Sequence, residues 1–208
     1  MQDIALYATE TMADWEYAHI TAELTRAESV KPGRFRLRVV GDGTGEVRSL
    51  GGLPIRPDVD LADLDPATTA CLVIPGADTY FDGHERLLDT VRRMVDAGTP
   101  VAAICGGTFA LARAGLLDDR RHTSNARVFL EQSGYGGGDR YEDTAAVVTD
   151  QGITTGSGVR AVAFSAEVFK VSGLLPPAYA DAWEALYTTG TLEAYEQMMA
   201  AHDAFANS

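Results

Sequence analysis

The sequence predicts an α/β fold, a single domain built on a mostly parallel sheet with helices on both faces. Three observations predict it. The runs Ala70 to Ile74 and Val101 to Ile104 are continuously apolar, as strands covered on both faces must be. Apolar runs alternate with helix candidates along the chain, the order expected of βα units. Val101 to Ile104 also passes directly through Cys105-Gly106-Gly107 into a helix candidate over Thr108 to Ala114. Strand, sharp turn and helix with a nucleophilic side chain at the turn is the pattern of a nucleophile elbow. In such sheets ligands bind outside the carboxyl ends of the strands.

Taken in order, Ile4 to Ala8 is the first strand, and Thr9-Glu10-Thr11 turns into a helix over Met12 to Arg26. Glu16 and His19 share one face of that helix, and spacing alone reads Glu16 as a solvated carboxylate and His19 as packed or exposed. Phe35 to Val40 alternates arginine with apolar residues, a strand with one wet face. Gly41 to Glu46 leads into extended chain instead of a helix, so it is a turn and not a dinucleotide fingerprint. A small hairpin follows through Gly51-Gly52 to Ile55, then an irregular connector whose acidic residues, Asp58 to Asp65, read as solvated.

Ala70 to Ile74 ends in Pro75-Gly76-Ala77-Asp78, with Cys71 in the core. Asp82 and Glu85 have capping-box spacing, and Leu87, Leu88, Val91, Met94 and Val95 form the apolar stripe of a helix closed by Gly98. His84 falls in its first turn, at the surface. After the cysteine helix, Arg120 to Ser124 reads as a short strand leading to Asn125, and Arg127 to Gln132 as a helix. Tyr141 to Thr149 and Ile153 to Thr155 read as paired strands. Gly156-Ser157-Gly158 then opens a helix over Arg160 to Val171. Beyond Pro176-Pro177 two helices, residues 176–208, pack on the body through Leu192, Tyr195 and Met199.

Composition removes several function classes. The chain has 208 residues, 46% of them hydrophobic, enough for one sizeable core. A net charge of −13 with scattered basic residues excludes nucleic acid and anionic membrane surfaces as partners. No apolar run reaches the roughly 18 residues of a bilayer span. The first residues carry no basic and apolar leader, so a cytoplasmic protein is expected. Cys71 and Cys105 are the only cysteines, which suits free thiols and gives no zinc-ligand grouping. Neither a metal nor a cofactor is expected.

Cys105 is the residue placed to be reactive. A thiol at a helix N-terminus feels the positive end of the helix dipole, which favours thiolate and predicts a pKa below the free value of about 8.5.

Several stretches together resemble the PfpI/DJ-1 superfamily, which shares its fold with class I glutamine amidotransferase domains and is flavodoxin-like. They are Glu16 after the first strand, IPGAD at Ile74 to Asp78, AAICGG at Ala102 to Gly107, LARAGLLDDRR followed by HTSN from Leu111, and GITTGSG before the last helix of the shared fold. The resemblance implies that Cys105 is the nucleophile and that Glu16, against its reading from spacing, is the acidic residue beside the sulfur. It implies an oxyanion hole from the backbone N–H groups of Gly76 or Ala77 and of Gly106. It also implies a homodimer and a small-molecule substrate. Protease-type members carry a histidine directly after the nucleophile, where this chain has Gly106. Many others have a histidine where this chain has Asn125. Asn125, Trp15 and Asp78 are therefore candidate substrate contacts, with Tyr80 beside them. The implied activity is a cysteine-dependent hydrolase or lyase acting on a small electrophile. The alternative is a redox or stress protein whose Cys105 is oxidised.

Overall fold

The computed structural model covers residues 1–208 and arranges them around one seven-stranded sheet. In chain order the elements are β1 (Gln2–Ala8), α1 (Asp14–Val30), β2 (Phe35–Gly41), β3 (Val47–Arg48), β4 (Pro54–Ile55), β5 (Val59–Asp60), β6 (Thr69–Ile74) and α2 (Glu85–Asp96). They continue with β7 (Val101–Ile104), α3 (Gly106–Arg113), α4 (Arg127–Glu131), β8 (Val147–Asp150), β9 (Ile153–Gly156), α5 (Ala161–Val171), α6 (Pro177–Thr189) and α7 (Leu192–Ala206). Sheet order is β5-β2-β1-β6-β7-β9-β8, with β3 and β4 forming a separate hairpin. Every pairing in the large sheet is parallel except β8 with β9.

Strand alternation divides the core in two. Ile4, Leu6, Cys71, Val73, Ala102 and Ile104 face Ile20 and Leu24 of α1, Phe164 and Phe169 of α5, and Trp183 of α6. Ala5, Tyr7, Leu72, Ile74, Val101 and Ala103 face α2 and α3 through Leu87, Val91, Met94 and Leu111. Both faces of β6 and β7 are thus apolar, which explains their unbroken hydrophobic runs. The C-terminal helices share the first of these cores, where Tyr179, Ala180, Trp183 and Phe205 are buried. Trp183 meets Phe169 edge to face, and its indole N–H donates to the buried Glu23 of α1 at 3.2 Å.

Several local expectations are corrected. Asp82 and Glu85 form no capping box, because Gly83 and His84 both turn left-handed and His84 is itself the residue before the helix. The His84 ring is not a surface group. It is held by the Tyr7 hydroxyl at 2.9 Å and the Thr79 hydroxyl at 3.1 Å. Asp58, Asp63 and Asp65 of the acidic connector are exposed as expected, but Asp58, Asp60 and Asp65 also organise it, accepting from the N–H groups of Val39, Ala62 and Ala67. Arg120 to Ser124 is not a strand. Only His122 bridges to Tyr141, and the strand expected from Tyr141 begins at Val147. In α7 the packed face is Ala194, Met198, Ala201 and Phe205, while Leu192 and Tyr195 point to solvent.

Phe164 lies under the end of β9, packed against Gly156 and fully buried. Phe164→Ala should cost about 3–5 kcal/mol in urea unfolding. Leu192→Ala, 71% exposed, should stay within about 0.5 kcal/mol of the parent.

Candidate active site

Four loops meet at the carboxyl ends of β1, β6, β7 and β9. At the centre is Cys105, with φ 56° and ψ −122°, a region a non-glycine residue occupies at a cost of about 1–3 kcal/mol. Contacts on all sides hold it there. Its N–H donates to Gly156 O at 3.0 Å, and its carbonyl accepts from the Thr108 hydroxyl at 2.6 Å. The two glycines that follow are required by close approach of the turn after β6. A methyl group at Gly106 would lie 2.7 Å from Ala77 O, and one at Gly107 2.7 Å from Ile74 O.

Glu16, in the first turn of α1, is completely buried and sits beside the sulfur. The start of α1 is tied to the turn after β6, because Ala13 N–H donates to Gly76 O at 2.9 Å. Gly76 N–H in turn donates to Glu16 Oε2 at 2.5 Å. Oε1 is buried without any partner. A methyl group placed at Gly158 would lie 2.7 Å from Oε1 and 3.0 Å from Sγ, so oxygen and sulfur face the same point. The solvated carboxylate that spacing suggested is therefore an interior group delivered to the thiol.

Asn125 completes the set. Its Nδ2 donates to Sγ at 3.1 Å, and its Oδ1 accepts from Gly158 N–H at 2.8 Å. Because a backbone N–H only donates, the second contact fixes which amide end faces sulfur. Asn125 thus contacts the candidate nucleophile itself, and the Gly156-Ser157-Gly158 turn is what orients it.

The electrostatics differ from the dipole-based expectation. Burial, followed by the charge of Glu16, pushes the Cys105 thiol up to about 11, against the opposing pull of the Asn125 amide and Gly106 N–H. Burial also raises the Glu16 carboxyl above its ordinary range. The helix N-terminus is outweighed because α3 presents its end to a largely desolvated sulfur with a carboxylate alongside. Two adjacent negative charges are the state both shifts disfavour, so the pair titrates as a unit.

The oxyanion expectation also narrows. Gly76 N–H is occupied by Glu16, whereas Ala77 N–H makes no hydrogen bond within the chain and lies next to Gly106. Two recesses open at Cys105. One, of about 650 Å³, is lined by Trp15, Glu16, Asn125, Gly158, Arg160 and, from α6, Glu184. The other, of about 250 Å³, is lined by Asp78, Ala77, Gly106, Leu50, Phe81 and Phe129. Trp15 is half exposed and its indole N–H donates to Gly158 O at 3.1 Å. Tyr80 is buried and lines neither recess.

None of the four histidines lines either recess. His122 is buried with its nitrogens on Arg120 O and the Tyr135 hydroxyl, and His84 is engaged as described. His19 packs on the rings of Trp183 and Tyr187, and His202 against Tyr179. No grouping of His, Cys, Asp or Glu is arranged to hold a metal ion. Val159, Arg160, Glu184 and Phe129 escaped the sequence reading. Only the Gly156-Ser157-Gly158 turn could have pointed to the first two, and nothing local marks Glu184.

Comparison with known proteins agrees with this architecture. The DJ-1/PfpI family profile matches residues 2–171. The chain is 34% identical over 201 residues to an uncharacterized protease, YoaZ, of Bacillus subtilis, covering 94% of this chain and 95% of that one. It is 26% identical over 174 residues to protein/nucleic acid deglycase 2 of Escherichia coli, covering 82% and 97%. The crystal structure of a thiJ/pfpI family protein from Bacillus anthracis superposes with a TM-score of 0.86 at 31% identity, over 97% of this chain and 98% of that one. A DJ-1 superfamily protein from Agrobacterium tumefaciens gives 0.78 at 32%, over 91% and 99%. With its seven-stranded sheet, its cysteine elbow and a match over most of its length, the chain belongs to the DJ-1/PfpI family.

Proposed function

We propose that the protein is a cysteine-dependent enzyme of hydrolase type that acts on a small carbonyl electrophile. The observation that carries this reading is the buried, unpartnered Glu16 Oε1 facing the same point as Cys105 Sγ. The thiol proton moves to Oε1 as sulfur adds to the carbonyl carbon. A C–S bond forms, and the π pair of the carbonyl goes to its oxygen. Ala77 and Gly106 N–H groups are the donors nearest that developing charge. Glu16 then gives the proton to the leaving group as the oxyanion collapses to a thioester on Cys105; water, its proton taken by Glu16, adds to that thioester and expels the sulfur, which regains the proton as the fragment leaves as a carboxylic acid.

Asn125 holds the sulfur but cannot carry a proton, so Glu16 is the sole acid and base. That disfavours peptide hydrolysis, in which an amine leaving group must be protonated while the nucleophile is being activated. The deglycase and protease names of the relatives are both consistent with sulfur addition to a carbonyl. The arrangement here suits the smaller, more electrophilic carbonyl.

A panel of small carbonyl compounds, amides and isocyanides tests the reading. Turnover of a carbonyl compound is expected, and Cys105→Ser should abolish it while the circular dichroism spectrum is retained. Full activity in that variant removes the mechanism. No turnover across the panel, together with selective gain of two oxygens on Cys105 in mild peroxide, supports the oxidation-sensing alternative instead.

Glu16→Gln gives an independent check through the pH dependence of Cys105 alkylation by iodoacetamide. In the parent the alkylation midpoint should lie near 11. Removing the neighbouring negative charge makes thiolate formation easier, so the midpoint in Glu16→Gln should fall. Turnover should drop about 10²- to 10⁴-fold, since the amide cannot shuttle a proton. An unmoved midpoint would show that the carboxylate does not act on the sulfur.

A further inference from the structure

The larger recess at Cys105 contains one basic side chain that the fold does not use. Arg160 follows the Gly156-Ser157-Gly158 turn and lines that recess with Cys105, Glu16 and Asn125. In a chain of net charge −13, almost every basic side chain has an acidic, carbonyl or hydroxyl partner. Arg56, Arg140 and Arg160 are the exceptions, and of these only Arg160 lines either recess at the thiol. Glu184 of α6 shares the larger recess, but its charge acts on Lys170 of α5 and it forms no ion pair with Arg160.

The backbone of Arg160 is held beside the groups that orient the sulfur, and its side chain is exposed. Its N–H closes the turn on Ser157 O at 2.8 Å. Gly158, two residues earlier, donates to Asn125 through its N–H and accepts from Trp15 through its carbonyl. A guanidinium there offers paired N–H donors of the geometry that suits a carboxylate. The wall beside it is apolar, with Val159, Ala161 and Ala146. An anion approaching so acidic a protein is repelled at long range, and a local cation is what would let it reach the thiol.

We infer that Arg160 is a substrate-binding residue that selects small carbonyl compounds carrying a carboxylate, gripping the anionic end while Cys105 meets the electrophilic carbon. This rests on Cys105 being the reactive group in the reading above, and the test keeps the two apart. Iodoacetate and iodoacetamide alkylate a thiolate by the same displacement of iodide and differ in carrying a carboxylate or a neutral amide. The ratio of their rates at Cys105, followed by intact mass with Cys105→Ser as the blank, reports anion selection without requiring turnover. In Arg160→Gln the iodoacetate-to-iodoacetamide ratio should fall about three- to fivefold. It should fall further in Arg160→Glu, while the iodoacetamide rate changes less than about twofold in Arg160→Gln. Salt at about 0.5 M should shrink the difference between parent and Arg160→Gln.

An equal ratio in the parent and Arg160→Gln overturns the inference, even if the carbonyl panel shows turnover. A ratio that falls as expected supports anion selection, even if the panel shows none and the catalytic reading is lost. With an active carbonyl substrate in hand, Arg160→Gln should raise KM for its carboxylate-bearing form and leave KM for the neutral congener unchanged.

Discussion

The structure depends on how tightly four backbone turns crowd one sulfur atom. Gly76 and Gly158 approach Cys105 from two sides so closely that a methyl group on either would lie within about 3 Å of both Sγ and a Glu16 oxygen. That crowding leaves a thiol and a carboxyl side by side in a mostly buried setting. Neither can ionise without penalty while the other is ionised, and both shift upward. Burial and the neighbouring carboxyl therefore outweigh the dipole of α3 in setting the state of the thiol. Backbone strain at Cys105 belongs to the same arrangement, because the left-handed turn is what lifts the side chain out of the β7 line toward Glu16.

Much of this was legible in the sequence where short-range patterns record it. Continuous apolar runs identify β6 and β7 because both faces of those strands are covered, and the glycines after Cys105 record the close passage of the turn after β6. Periodicity failed at Glu16 because it measures neighbours three and four residues away, whereas the partner that makes this carboxyl an interior group, Gly76, is 60 residues distant. Asn125 and Trp15 are similar cases. Each is explained by Gly158, 33 and 143 residues away. The expected capping box at Asp82 failed for a different reason, since the sequence does not disclose that the His84 ring is clamped by Tyr7 and Thr79 into a left-handed turn. The direction of the thiol shift was missed because the dipole rule assumes a partly solvated sulfur with no carboxylate against it.

Asn125 shows what a side chain without titration contributes at such a centre. An imidazole in its place would change charge across the neutral range and bring a second proton-transfer partner to the sulfur. The amide donates to sulfur at every pH and is locked at its other end by a backbone N–H. Beside the sulfur the fold thus sets one titratable side chain, Glu16, and one fixed hydrogen-bond donor, Asn125.

The wall contributed by α6 is separable from the thiol and the carboxyl. Glu184 and Thr188 border the larger recess, yet they lie beyond residue 171, where the match to the family profile stops. The reacting pair is built wholly within the matched region, and this border is added from outside it. Side chains on α6 can therefore change at this border without touching Cys105, Glu16 or Asn125, whose mutual contacts are made wholly within residues 2–171.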